Sequence, residues 1–138
     1  MIGRFSPTEL FAKAEETLAS AQTMLDHGYA GGACNRAYYA MFDAARAALR
    51  TRGLGNRIKS HAGIASLFSL QFVKDGPLPS DLGRIFRSAE RARYDADYLD
   101  DPVPIDEAKV AVANAKAFLA AIAALIASEP PTSPPPDS

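Results

Sequence analysis

The sequence contains few of the residues that build metal centres and covalent cross-links. Its 138 residues include one cysteine, Cys34, two histidines and no tryptophan. A single cysteine excludes an internal disulfide, and without a second thiol or a histidine at ligand spacing it excludes a structural zinc site. We therefore expect no metal and no cofactor, and the sequence does not favour a thiol-centred activity.

Long apolar runs and an export signal are also missing. No apolar run approaches the roughly 18 residues of a membrane span, and residues 1–7 show no apolar stretch followed by a small-residue cleavage site. The length, with 48% apolar and 22% charged residues, fits one folded domain. We expect a soluble, cytoplasmic protein with no membrane partner and a single domain over residues 1–129.

Signals for β-strands are missing as well, since no segment alternates with a period of two and is rich in β-branched residues. Apolar residues instead recur three and four positions apart, which predicts an all-α fold, an antiparallel up-and-down bundle of four to five helices. Ser6 to Glu9 form a capping box that starts the first helix. The expected helices run from Pro7 to His27, from about Tyr29 to Arg52, from Ser60 to Val73, from about Ser80 to Leu99, and from about Asp106 to near Ser128.

Two regions stand apart from this helical pattern. Residues 130–138 are half proline and nearly uncharged, so we expect a disordered C-terminal tail. Alanine is abundant in the second and fifth helices, and its small side chain permits close helix approach. The sequence leaves open whether that approach occurs inside the bundle or across a homodimer interface.

The net charge of −1 conceals a segregation of charge along the chain. Residues 29–98 hold 11 Lys and Arg against 6 Asp and Glu, or +5, and the remaining residues hold 4 against 10, or −6. A basic middle segment favours an anionic partner such as RNA or a nucleotide. Basic residues on solvated helix faces are the alternative interpretation.

Two clusters of residues suit an anionic ligand. On the second helix Arg36 and Tyr39 lie three positions apart, where a guanidinium and a phenol can stack on a base and pair with a phosphate. Tyr38, on the apolar stripe of this helix, is assigned to the core. A separate polar stripe follows the same spacing and consists of Arg36, Tyr39, Asp43, Arg46 and Arg50. On the fourth helix four arginines fall within ten residues, and two of them, Arg91 and Arg93, stand four positions before Asp95 and Asp97. These side chains form either intrahelical ion pairs or an anion-binding face. The candidate ligand-binding residues are Arg36, Tyr39, Arg91, Arg93 and Tyr98.

His61 follows Ser60, the predicted cap of the third helix. It is a candidate general base or phosphate donor, and a structural role at the helix start is the alternative.

These motifs resemble the HEPN domains. Asn35 to Ala45 (NRAYYAMFDAA), the segment that begins Lys59-Ser-His-Ala-Gly, and Arg93 to Tyr98 (RYDADY) look like the small stand-alone prokaryotic branch, whose members carry Tyr-Tyr-Ala and Ala-Asp-Tyr motifs. The similarity spans about residues 8–126. It implies a helical bundle that dimerises. Many such proteins are encoded beside a minimal nucleotidyltransferase, and several are ribonuclease toxins that this partner neutralises.

The chain departs from the family's ribonuclease signature, in which a histidine follows an arginine by four to six residues on the fourth helix. Here Asp95 and Asp97 stand where that histidine is expected, which argues against the usual metal-independent route of RNA cleavage. Three hypotheses follow. The first is a binding module for nucleotide or RNA that pairs with a minimal nucleotidyltransferase. The second is a ribonuclease toxin with a rearranged site of His61, Arg93 and Asp97, and the third is a purely structural interaction partner.

Overall fold

The computed structural model describes residues 5–99 and 101–129, and within these ranges every regular element is a helix. An α-helical third element continues directly into one π-helical turn, Ser69–Val73. The five α-helices are α1 (Pro7–Asp26), α2 (Ala30–Thr51), α3 (His61–Phe68), α4 (Ser80–Tyr98) and α5 (Ile105–Ser128). The all-α fold with five helices is thus confirmed. The up-and-down order remains a prediction, and the predicted tail, residues 130–138, lies outside the described residues.

The local signals read from the sequence define the helix ends. The Ser6 hydroxyl accepts a hydrogen bond from the Glu9 amide at 3.1 Å, and the Glu9 carboxylate accepts one from the Ser6 amide at 2.9 Å. This reciprocal pair is the predicted capping box. Gly28 follows α1 with φ of +79°, in the left-handed region that favours glycine.

The central element of the fold is α2, which packs against all four other α-helices. Most of its residues are buried, and its alanines account for the close approach of its neighbours. The sequence predicted a polar stripe along this helix from Arg36 to Arg50. The prediction of a polar, exposed face is wrong at Asp43, which is only 5% exposed because α1 covers this side of α2. Burial raises the pKa of the Asp43 carboxyl, although Lys13 and Arg46 beside it favour the charged form.

Phenylalanines from three helical segments form the aromatic part of the core. Phe118 of α5 lies 5.6 Å from Phe68 and 5.4 Å from Phe86, measured between ring centroids. Phe72, on the π-helical turn, lies 5.5 Å from Phe68. These contacts attach α4 to the bundle and fix the side of α4 that faces solvent. The apolar spacing of α4 favours an inward position for Leu99, but Leu99 is 57% exposed, because α4 ends at Tyr98 and the backbone of Leu99 is extended.

One helix contradicts the expectation that no segment approaches a membrane span. By length and composition alone α5 could cross a membrane, and 39% of its most apolar window is buried inside the protein. Its buried stripe, from Ala108 to Leu125, contributes to the core. The remainder of its apolar character comes mainly from alanines on the opposite face, and a core helix of a soluble protein has the same composition.

Candidate functional site

Polar side chains from α2, α3 and α4 converge on the hydroxyl group of Tyr38. This oxygen lies 3.2 Å from Nδ1 of His61 and 3.4 Å from Oε2 of Glu90. The Tyr38 side chain itself is fully buried, with 1% of its surface exposed. The core assignment of Tyr38 is therefore confirmed, and its hydroxyl links three helices as well.

His61 is the first residue of α3, and the start of that helix orients its ring. Ser60 caps α3, since its hydroxyl accepts a hydrogen bond from the amide of Gly63 at 3.0 Å. The imidazole packs against the ring of Phe42 at 4.4 Å and lies 5.7 Å from the rings of Tyr38 and Tyr39. Aromatic packing thus holds the ring of a half-buried histidine in a fixed orientation.

Arg93 of α4 stacks over the same pair of tyrosines. Its guanidinium carbon lies 5.2 Å from the ring centroid of Tyr38 and 6.0 Å from that of Tyr39, within the range of cation–π attraction. Its Nη1 lies 3.6 Å from Asp97, and the Arg93 side chain is only 15% exposed. The predicted Arg93–Asp97 pair therefore forms, on a largely buried arginine.

The environment of Arg93 leaves part of its guanidinium available. Among the described residues its Nε is the one buried side-chain nitrogen or oxygen atom without a hydrogen-bond partner. The terminal nitrogens Nη1 and Nη2 of Arg93 are not fully buried, so they reach solvent. Asp97 also accepts hydrogen bonds from the Asn35 amide group, at 3.3 and 3.4 Å, which joins α2 to α4 beside the arginine.

The ionisation of Tyr38 follows from this environment. Burial raises the pKa of its phenol well above the usual value, and the Glu90 carboxylate raises it further, while the positive charge of Arg93 acts in the opposite direction. The phenol therefore keeps its proton at neutral pH. A protonated hydroxyl between an imidazole and a carboxylate is a fixed hydrogen-bond donor and acceptor.

An open groove of about 730 Å³ runs along the exposed side of α4 next to this cluster. Its lining residues are Arg87, Glu90, Arg91, Arg93, Tyr94 and Asp95. Arg87 and Arg91 are exposed and make no ion pair or hydrogen bond with any described residue. The predicted pair of Arg91 with Asp95 therefore does not form, and the lining of the groove carries three arginines against two carboxylates.

The candidate residues occupy three places in the structure. His61, Arg93, Asp97 and Tyr39 are brought together around Tyr38. Arg36 is exposed on α2 and has no polar partner among the described residues. The remaining candidates lie on the exposed side of α4: Arg91 lines the groove, and Tyr98, 65% exposed, packs its ring 4.7 Å from that of Tyr94.

Sequence reasoning missed Glu90 and the polar role of Tyr38. The signal was present in the spacing of α4, where Glu90, Arg93 and Asp97 lie three and four positions apart and so share one face. A buried tyrosine also requires a partner for its hydroxyl. No group of three or more His, Cys, Asp or Glu side chains suited to a metal ion occurs within the described part of the chain.

The fold and this cluster define a small helical domain that encloses histidine, tyrosine and arginine side chains between α2, α3 and α4. Residues 8–125 match the family model described as HEPN domain. The chain therefore belongs to the HEPN domain family, which confirms the resemblance noted in the sequence.

Curated relatives cover most of the chain. A Methanocaldococcus jannaschii protein named "Putative toxin MJ0605" is 36% identical over 106 residues, which are 77% of this chain and 78% of the relative. A Gloeobacter violaceus protein named "UPF0332 protein glr0978" is 34% identical, over 80% of this chain and 88% of its own length. A "UPF0332 protein" of Thermotoga maritima is 33% identical, over 83% of this chain and 86% of its own length.

Proposed function

We propose that the chain is the toxin-like component of a toxin–antitoxin-like pair in the cytoplasm and binds RNA or nucleotide phosphates on its α2/α4 face. The family membership and the toxin name of a relative that covers 77% of the chain support the first part. The binding face comprises the candidate residues Arg36, Tyr39, Arg91, Arg93 and Tyr98.

The unpaired arginines beside the groove carry this proposal. Arg87 and Arg91 stand on neighbouring turns of α4 without a carboxylate partner among the described residues. Holding like charges close together costs free energy, which a bound anion offsets. Tyr94 and Tyr98 extend the same face with exposed aromatic rings. Guanidinium groups next to exposed rings suit phosphates and bases together.

We expect Arg36→Ala and Arg91→Ala each to weaken binding of a fluorescein-labelled oligoribonucleotide by about 1 to 3 kcal/mol and to lower the salt dependence of binding. With one phosphate contact fewer, RNA binding releases fewer counterions. The slope of log binding constant against log salt concentration should therefore fall in magnitude by about one. Because both side chains are exposed and unpaired, the free energy of unfolding should change by less than about 0.5 kcal/mol. Fluorescence anisotropy at several salt concentrations measures the binding.

Arg84→Ala is the matched control for these variants. Arg84 lies on the same helix and is exposed, but it pairs with Asp81 at 3.3 Å and does not line the groove. Its replacement should leave RNA affinity and salt slope close to those of the parent protein. An equal loss in all three variants would indicate a nonspecific charge effect, and no binding by the parent protein would leave the purely structural hypothesis.

The partner implied by the family resemblance is a minimal nucleotidyltransferase. We propose that this partner binds the chain and neutralises it. The test is to determine whether the gene beside the chain's own encodes a minimal nucleotidyltransferase and to co-express the two, with co-purification and relief of growth arrest as the measurements. Growth arrest that persists despite co-expression would contradict the pairing.

We further propose a homodimer that forms through the outer face of α5. The alanines of α2 are buried within the bundle, so they are not available to a second copy. The outer face of α5 instead exposes small apolar side chains, which permit close approach of another helix. These residues are Val110, Ala113, Ala117, Ala120, Ala124 and Ala127.

Multi-angle light scattering at tens of micromolar should therefore give the mass of a dimer. We expect Ala120→Glu to shift that mass to the monomer without loss of helical content, because a buried unpaired carboxylate opposes association. Ala12→Glu, an exposed alanine of α1, is the control and should remain dimeric. A monomeric parent protein would refute the dimer.

A second candidate function is metal-independent RNA cleavage. The observation that favours it is the convergence of His61 with Arg93 and Asp97 around one pair of tyrosines, although these three residues are distant in sequence. In this hypothesis His61 moves the proton, Arg93 stabilises charge on the phosphate, and Asp97 orients Arg93.

A further inference from the structure

The hydroxyl of Tyr38 has one proton and two polar neighbours, Nδ1 of His61 at 3.2 Å and Oε2 of Glu90 at 3.4 Å. Two arrangements of that proton are possible. In the first, the hydroxyl donates to Glu90 and accepts a hydrogen bond from a protonated Nδ1. In the second, it donates to an unprotonated Nδ1 and turns a lone pair toward Glu90.

The two arrangements differ in how well they satisfy Glu90. A carboxylate is purely a hydrogen-bond acceptor. In the second arrangement its oxygen faces the phenol oxygen at 3.4 Å with no proton between them, which is repulsive. In the first arrangement each close pair of polar atoms has one donor and one acceptor. Burial and Glu90 both raise the pKa of Tyr38, so the phenol keeps its proton in either arrangement, and the contact geometry distinguishes the two.

From this geometry we infer that Glu90 and Tyr38 are positioning residues that fix the tautomer of His61, so that Nδ1 carries the proton and Nε2 presents its lone pair as a proton acceptor. Among the described residues Nε2 has no hydrogen-bond partner, and it is not fully buried on a ring that is itself half-buried, so it reaches solvent. Resting on the proposed function, this inference assigns Nε2 to a hydroxyl group of the RNA or nucleotide held by the arginines.

The surrounding contacts fit a positioning role. Glu90 alone would satisfy the buried hydroxyl of Tyr38, so the contact to His61 is not needed to keep Tyr38 in the core. Phe42 and Tyr39 pack against the imidazole ring. The ring is therefore held with Nδ1 against Tyr38 and its other edge toward solvent. In such an arrangement the hydrogen bond made by one ring nitrogen decides whether the other nitrogen carries the proton.

Nitrogen-15 NMR of the histidine-labelled full chain, without RNA and at a pH above the histidine titration, tests this inference. The chain has two histidines, and His27→Gln assigns the signals. We expect His61 to show a protonated Nδ1 and an unprotonated Nε2. In Tyr38→Phe the acceptor is lost, and the signals should move toward the opposite tautomer. Glu90→Gln changes the half-buried partner of the Tyr38 hydroxyl and should shift the His61 signals in the same direction with the fold intact.

Tyr39→Phe is the matched control, since Tyr39 packs against the same imidazole but its hydroxyl makes no hydrogen bond to it. Its His61 signals should remain those of the parent protein. A protonated Nε2 in the parent protein would overturn the inference that Tyr38 and Glu90 fix the tautomer of His61. So would His61 signals that stay unchanged in both Tyr38→Phe and Glu90→Gln. Because the spectra are recorded without RNA, failure of RNA binding would refute the proposed function and leave the tautomer result standing.

Discussion

Phe118→Ala is expected to lower the free energy of unfolding by about 3 to 5 kcal/mol, the range for removing a buried aromatic side chain. Phe118 is fully buried and touches both Phe68 and Phe86, so its loss leaves a cavity where α5 meets α3 and α4. The neighbouring rings belong to two other helices, α3 and α4, and cannot both collapse into that space. Urea denaturation followed by circular dichroism measures the change.

The control for this prediction is Leu70→Ala on the π-helical turn, outside the proposed dimer interface. Leu70 is 59% exposed, so its truncation removes little buried surface, and we expect a change below about 0.5 kcal/mol. A loss below about 1 kcal/mol in Phe118→Ala would show that the aromatic core does not attach α4 to the bundle. In that case the groove of α4 arginines would lack the rigid support on which the proposed binding face depends.

The helix boundaries could be predicted from the sequence because their causes are local. A capping box, a glycine after α1 and prolines near helix starts act within a few residues of the positions that they define. The inward faces of α1 and α5 follow from a spacing of three and four for the same reason. Leu10, Ala14 and Ala21 of α1 are buried as the periodicity predicted.

The position of Asp43 could not be predicted, because periodicity shows which residues share a face and not what covers it. On α2 two faces were expected, one apolar and one polar. Helices pack on both, so an aspartate at a polar position is buried beneath α1 and meets Lys13 at 3.8 Å. A helix at the centre of a bundle has no free polar face, and that property belongs to the tertiary arrangement.

The candidate site shows the same division between local and tertiary information. The sequence identified His61, Arg93 and Asp97 separately, from residue type and from resemblance. It did not show that Tyr38 joins His61 to Glu90, because α2, α3 and α4 meet only in the folded chain. Arg93 was expected on an exposed face and is largely buried. Arg93→Ala should therefore reduce stability as well as binding, unlike Arg91→Ala.

If the chain cleaves RNA, His61→Gln should reduce the cleavage rate by about 10²- to 10⁴-fold, the usual contribution of a general acid or base. Binding should remain within about twofold, because the proposed phosphate contacts come from arginines. Cleavage is measured on a labelled oligoribonucleotide, and binding on its 2′-O-methylated analogue, which cannot supply an attacking hydroxyl. Growth arrest on expression without a partner is the cellular readout.

His27→Gln is the control, since the only other histidine lies at the end of α1, exposed, with its Nδ1 2.8 Å from the Thr23 carbonyl. It should cleave RNA and arrest growth like the parent protein. Glutamine also preserves much of the imidazole's contact with Phe42, so a lost activity in a variant with unchanged thermal stability points to chemistry and not to folding. Cleavage that survives in His61→Gln would refute the catalytic role of His61. RNA binding by the parent protein without any cleavage would select the binding module over the ribonuclease.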